Sequence, residues 1–169
     1  GNVGFNVIKH IIDHGGKVSV FEPYQPAVEK LVDTFEDINI IENADDIYDI
    51  EADIFSPNSI GAILNDDTIP RLKVKMVAGG ANNQLKDPVK NAKMLHERNI
   101  AYVPDFLINR MGIVNCCDEQ YGYLPEAIEE RLVEIHPEVI ELLQLSQKEN
   151  KSPQFKALEI ATELSFIPH

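Results

Sequence analysis

Gly1 and Gly4 open an apolar helical pattern, and glycines at that spacing suit a turn that holds phosphate. In a dinucleotide-binding turn of the G-x-G-x-x-G type they supply the second and third glycines. The second lets backbone approach a pyrophosphate, and the third lets helix and strand pack closely. The first helical turn, from Asn2 and Val3, then offers free N–H groups and a partial positive charge to the phosphates. The first glycine and its strand are expected upstream of Gly1. Alone, G-x-x-G occurs by chance in many helices. Glu22 adds to it, standing 18 residues past Gly4 at the end of the next expected strand. A carboxylate there hydrogen-bonds a ribose 2′-OH and repels a 2′-phosphate. No Arg follows before Val28, so NAD is favoured over NADP. The competing reading of Glu22 is a solvated acid in an acidic chain.

The elements that must position these residues are read from apolar periodicity. Val3, Val7, Ile8, Ile11 and Ile12 recur at helical spacing, and Gly15-Gly16 ends the helix. Lys17–Phe21 alternates as a strand, Pro23 and Pro26 lead into a helix to about Phe35, and Ile38–Ile41 is a second strand. Asp45-Asp46 is expected to cap a short helix, Asp53–Phe55 to form a brief buried strand, and Lys73–Ala78 another, ended by Gly79-Gly80. Pro88 opens a helix to about Arg98, and Ile100–Val103 closes the series. Strands alternating with helices over short connections imply an α/β domain with a doubly wound, mostly parallel sheet. Ile54-Phe55 and Val74–Val77 lack a polar face, as expected where helices cover both sides. From about Glu126, Ile128, Leu132, Ile135, Val139 and Leu142 repeat at four-three spacing along an acidic helix that Pro137 should kink. Ser152-Pro153 is a plausible cap and first turn for a last helix. The expected organisation is thus a Rossmann-like domain over 1–125 and a C-terminal helical extension over 126–169.

Composition narrows the function classes. Fifteen basic and 28 acidic side chains give a net charge of −13, which argues against nucleic acid as a partner. Apolar runs are far shorter than the ~20 residues of a membrane span, and Gly1–Phe5 does not resemble a signal peptide. The two cysteines, adjacent at Cys116 and Cys117, form no disulfide framework and are expected to be small buried side chains. A reducing, cytoplasmic setting follows. His10 and His14 stand four apart, but no third ligand accompanies them, so no metal is expected.

Further motifs go beyond a generic nucleotide fold. Ser56-Pro57-Asn58-Ser59-Ile60-Gly61-Ala62 follows one strand and Ala78-Gly79-Gly80-Ala81-Asn82-Asn83-Gln84-Leu85 another, and Val103-Pro104-Asp105-Phe106-Leu107-Ile108-Asn109 comes later. With the glycine turn and Asp53-Ile54-Phe55, these resemble the C-terminal domain of the Glu/Leu/Phe/Val amino acid dehydrogenases, nearest the leucine dehydrogenase branch. The resemblance implies NAD-dependent oxidative deamination of an L-amino acid to a 2-oxo acid and ammonia, in a homo-oligomer. It also implies that the catalytic Lys and Asp lie on an upstream domain, so neither role falls on Lys17, Lys73 or Asp105. These 169 residues are then the cofactor half of the enzyme, inactive by themselves.

Gly1, Asn2, Val3, Gly4 and Glu22 are the cofactor residues the turn itself suggests. In similar enzymes the Ala-Asn segment contacts the nicotinamide side, which adds Asn82 and Asn83; the alternative is that both only shape a turn. Asn58 and Ser59 are candidates near the adenosine ribose, with helix capping as the alternative. Asn109 matches the asparagine of the family's Asn-Ala-Gly-Gly motif at the substrate cleft, but here Arg110-Met111-Gly112 follows it. The added bulk and charge keep open a second reading, a non-catalytic nucleotide-binding or regulatory module derived from the family. Leu132 and Ile135 sit where the family's aliphatic pocket draws residues, or else belong to a helix core. Without a strand before Gly1 the centre of the sheet would be vacant, and the chain is expected to aggregate or to bind NAD weakly.

Overall fold

In the computed structural model, which describes residues 1–114, 116 and 125–165, helices alternate with short parallel strands. Helix α1 (Asn2–Asp13) leads to β1 (Val18–Val20), α2 (Gln25–Thr34) and β2 (Ile38–Ile40). A 3-10 turn at Ala44–Asp49 precedes β3 (Ile54–Phe55), and β4 (Met76–Val77), α3 (Pro88–Glu97), β5 (Ala101–Tyr102) and the short α4 (Asp105–Ile108) follow. The chain ends in α5 (Pro125–Glu149), with Pro137 inside it, and α6 (Pro153–Ser165).

Local chemistry explains the boundaries. After α1 the chain turns at Gly15, whose φ of 80° lies in the left-handed region, and the amides of Gly15 and Gly16 return to the carbonyls of Ile12 and Ile11. Asp87 caps α3 by accepting from the Val89 and Lys90 amides at 3.0 and 2.9 Å, with Pro88 at the first helical position. Asn99, at φ 57°, closes that helix in the role glycine usually fills.

The strands form two separate sheets. β1 pairs with β2 in one, and β3, β4 and β5 run in that order in the other, all parallel. The larger sheet rests on nine buried residues, among them Leu64, Leu72, Val77, Leu95 and Tyr102. Beneath the smaller one, among the described residues, Ile8, Leu31 and Phe35 are buried, with partly buried hydrophobics packed against them. The start of α1 touches both halves: the Gly1 amine meets the Glu22 carboxylate just past β1 at 2.7 Å, and Gly4 packs on Asn58 just past β3.

Several expectations are corrected. Ile54 is 53% exposed, because its side chain points to the face of β3 opposite the one on which Phe55 packs into the core. The expected strand at Lys73–Ala78 shrinks to Met76–Val77 plus one isolated bridge, Glu51 to Lys73. Asn43, not Asp45 or Asp46, caps the 3-10 turn, accepting from the Asp45 amide. The Ser152 hydroxyl is buried with no partner, although its carbonyl accepts the Lys156 amide. Cys116 is exposed rather than buried. Cys117, Asp118 and Glu119, and the side chains of Ile128, Glu129 and Glu130, lie outside the described residues. No helix among the described residues is long and apolar enough to cross a membrane.

Candidate functional site

Loops leaving the carboxyl ends of parallel strands gather over one end of such a sheet, and ligands bind in the crevice between them. A cleft of about 510 Å³ lies here, walled by Val3 of α1, Asn58 after β3, Gly79, Gly80 and Asn82 after β4, and Asn109 after α4. Four sequence motifs thus meet at one place.

The loop after β4 forms the floor and is held from every side. Asn58 Oδ1 accepts the Gly80 amide at 3.0 Å, while Asn58 Nδ2 donates to Ser56 at 3.0 Å. Buried Gln84 turns back beneath the loop and donates Nε2 to the carbonyls of Gly79 (2.7 Å) and Ala81 (2.9 Å). Asn109 Nδ2 donates to the Gly80 carbonyl at 3.3 Å and to Asn82 Oδ1. The Asn83 amide donates to Asp105 at the start of α4. Glycine is required at Gly79, where a Cβ would collide with the Pro57 backbone.

At the other end, α1 begins with no side-chain cap and no acid in its first turn. Its opening amides carry the partial positive charge of a helix N-terminus with no acid of the helix itself against them. Glu22 faces this turn. The Tyr24 amide donates to its Oε1 at 3.1 Å. The pKa of the buried Tyr102 phenol is shifted upward, by burial first and by the Asp105 charge second.

Of the residues singled out from sequence, Val3, Asn58, Asn82 and Asn109 line the cleft, and Gly1, Gly4 and Glu22 gather at the head of α1. Asn2 and Ser59 are exposed and outside the lining. No helix follows Asn58 or Ser59, so helix capping does not account for them. Asn83 takes φ 51°, and its contribution comes from its backbone. Leu132, 48% exposed, and half-buried Ile135 lie on α5 away from the cleft lining. Arg110 also lies outside the lining and pairs with Glu138 of α5. The His10 and His14 rings lie 4.3 Å apart, tilted by 47°, and His14 Nδ1 lies 2.8 Å from the His10 carbonyl. Sequence reasoning gave no role to Gln84 or Asp105; a third polar residue after Asn82-Asn83, and an acid directly after Val103-Pro104, were the signals available.

Parallel strands alternating with helices, with a cleft at their carboxyl ends, define a domain of the α/β class. Comparison with known proteins takes this further. Residues 21–163 match the Glutamate/Leucine/Phenylalanine/Valine dehydrogenase family, and the chain belongs to that family. It is 36% identical to leucine dehydrogenase of Bacillus cereus over 163 residues, covering 96% of this chain and 44% of that protein. Phenylalanine dehydrogenase of Lysinibacillus sphaericus is 37% identical over 145 residues, covering 84% and 38%. The crystal structure of L-tryptophan dehydrogenase from Nostoc punctiforme superposes with a TM-score of 0.91 at 29% identity, covering 96% of this chain and 48% of that one. The chain thus spans less than half the length of these relatives.

Proposed function

We propose that this chain is the cofactor-binding half of an NAD-dependent L-amino acid dehydrogenase of the leucine dehydrogenase type. The reaction is oxidative deamination: amino acid, water and oxidised cofactor give 2-oxo acid, ammonium ion, reduced cofactor and a proton. The observation that carries the reading is the meeting of an uncapped, acid-free helix start, Glu22 beside it, and a cleft lined by Asn58, Asn82 and Asn109. These groups fit a dinucleotide. The helix start suits the pyrophosphate, Glu22 a ribose diol, and the asparagine amides the carboxamide end. When bound, the cofactor supplies the hydride acceptor. The residues described here orient and hold it, since transfer needs the ring fixed against the substrate carbon.

A strand leading into Gly1 would lie between β1 and β3, because α1 starts where the ends of both strands meet it. With that strand in place the two sheets become one doubly wound Rossmann-like sheet over 1–125, with α5 and α6 as its extension. The catalytic Lys and Asp belong to an upstream domain, so residues 1–169 alone bind cofactor without turnover. We read the intact enzyme as a homo-oligomer, which the family likeness supports, and as cytoplasmic, which its two adjacent cysteines support.

Titration calorimetry of the intact protein with NAD and NADP, beside Glu22→Ala, tests this. Tight NAD binding that weakens in the variant, with NADP weak throughout, is the expected result. A folded protein that binds neither nucleotide refutes the cofactor reading.

A further inference from the structure

We propose that Asp105 is a positioning residue that sets which way the Asn82 amide faces in the cleft, an assignment that rests on the cofactor reading above. Asn82 and Asn83 form a corner with Asn83 in the left-handed region at φ 51°, a conformation that persists only when its surroundings hold it. On one side the Ala62 amide donates to the Asn83 carbonyl at 2.7 Å, and Gly61 sits so close that a Cβ would lie 2.9 Å from the carbonyl oxygens of both asparagines. On the other side one turn of helix grips both residues. Asp105 Oδ2 accepts the Asn83 amide, and Asn109, four residues on, donates Nδ2 to Asn82 Oδ1.

Acceptor logic then fixes the direction of the donor. The Gly80 carbonyl can only accept, so the Asn109 atom facing it at 3.3 Å must be Nδ2. That same Nδ2 faces Asn82, so the Asn82 atom presented to it must be Oδ1. Asn82 is left with Nδ2, a donor, for a ligand in the cleft it lines. The group that fits is a carbonyl-type acceptor such as the carboxamide oxygen of a nicotinamide.

Only a carboxylate can hold this arrangement at position 105. Its two oxygens accept two amides at once, Asn83 through Oδ2 and Phe106 through Oδ1 at 3.0 Å. An asparagine there would turn an NH2 group against one of those N–H donors. The Asn109 amide donates to the Asp105 carbonyl at 2.9 Å, so a disturbance at 105 is passed to 109 and on to Asn82.

The test compares NADH with ADP-ribose, which lacks the nicotinamide, in the intact protein and in Asp105→Asn. Binding is measured by calorimetry, with the melting temperature recorded beside it. The expected result is roughly tenfold weaker NADH binding, as for one displaced hydrogen bond, with ADP-ribose binding unchanged. Should Asp105→Asn fail to fold, Asn109→Asp replaces it. That carboxylate offers the Gly80 carbonyl no donor, and the same selective loss is expected. Equal loss of both ligands, or loss of neither, overturns the role of Asp105 and leaves the cofactor reading standing. Wild-type protein that binds neither ligand overturns both.

Discussion

The two sheets hold the two ends of the cleft by different means. The three-stranded half has nine buried side chains beneath it, and its loops are tied to one another by Asn58, Gln84, Asp105 and Asn109. Among the described residues the two-stranded half has three buried side chains, and Glu22 stands past the end of β1, where the Tyr24 amide donates to it. The asparagine end of the cleft is therefore rigid in its own right. The acidic end depends on how the halves are brought together.

The strongest way to break that contrast is to cut the same number of atoms from each core. Leu95→Ala in the larger cluster is expected to lower unfolding free energy by about 4 kcal/mol, and Leu31→Ala in the smaller one by about 2 kcal/mol, within the range seen for buried leucines. Urea denaturation of both variants measures the difference, and equal losses would remove the contrast. Gly79→Ala comes next. Its methyl meets the Pro57 backbone, for an expected loss of about 2 kcal/mol, and NADH binding should fall more than that loss accounts for because the loop over the cleft must shift. A smaller effect, about 1 kcal/mol, is expected for Asp87→Ala, which removes two cap hydrogen bonds from α3 without touching the cleft. Its NADH affinity should stay at the wild-type value.

The smallest effect sharpens the picture at the C-terminal helices. Lys156 and Lys151 hold Glu149 and Glu159 below their ordinary carboxylate values through hydrogen-bonded ion pairs. Because the folded values are depressed, this stabilisation is present above the unfolded glutamate pKa of about 4.3 and is lost as pH falls through the folded values. Far-ultraviolet circular dichroism should show α6 loosening at acid pH, and Lys156→Met should flatten that dependence. An unchanged acid transition would place the titration elsewhere.

Much of this was legible in the residues. The alternation of helices and strands follows from periodicity and from punctuation at Gly15, Pro26 and Pro88, because those signals are local. Strand length was not legible: Lys73–Ala78 reads as a full strand, yet pairing reaches only Met76–Val77, since partners rather than propensity decide where a ladder ends. At the cleft, Asn58, Asn82 and Asn109 stood out by their place after strands or within a motif. Asp105 did not, because its part is to receive a backbone amide 22 positions away, and no spacing rule encodes that. The direction in which Arg110 turns was equally hidden, since its partner Glu138 comes from a helix 28 residues on.

Gln84 shows how narrow the tolerance at this cleft is. Its Nε2 alone ties the Gly79 and Ala81 carbonyls beneath the loop, from a position with no exposure to water. A glutamate there has almost the same shape and is one base change away in the genetic code. It would set a buried oxygen against two carbonyl oxygens. Size alone would pass the exchange as conservative. Among variants arising by chance in this gene, it belongs with those that silence the protein.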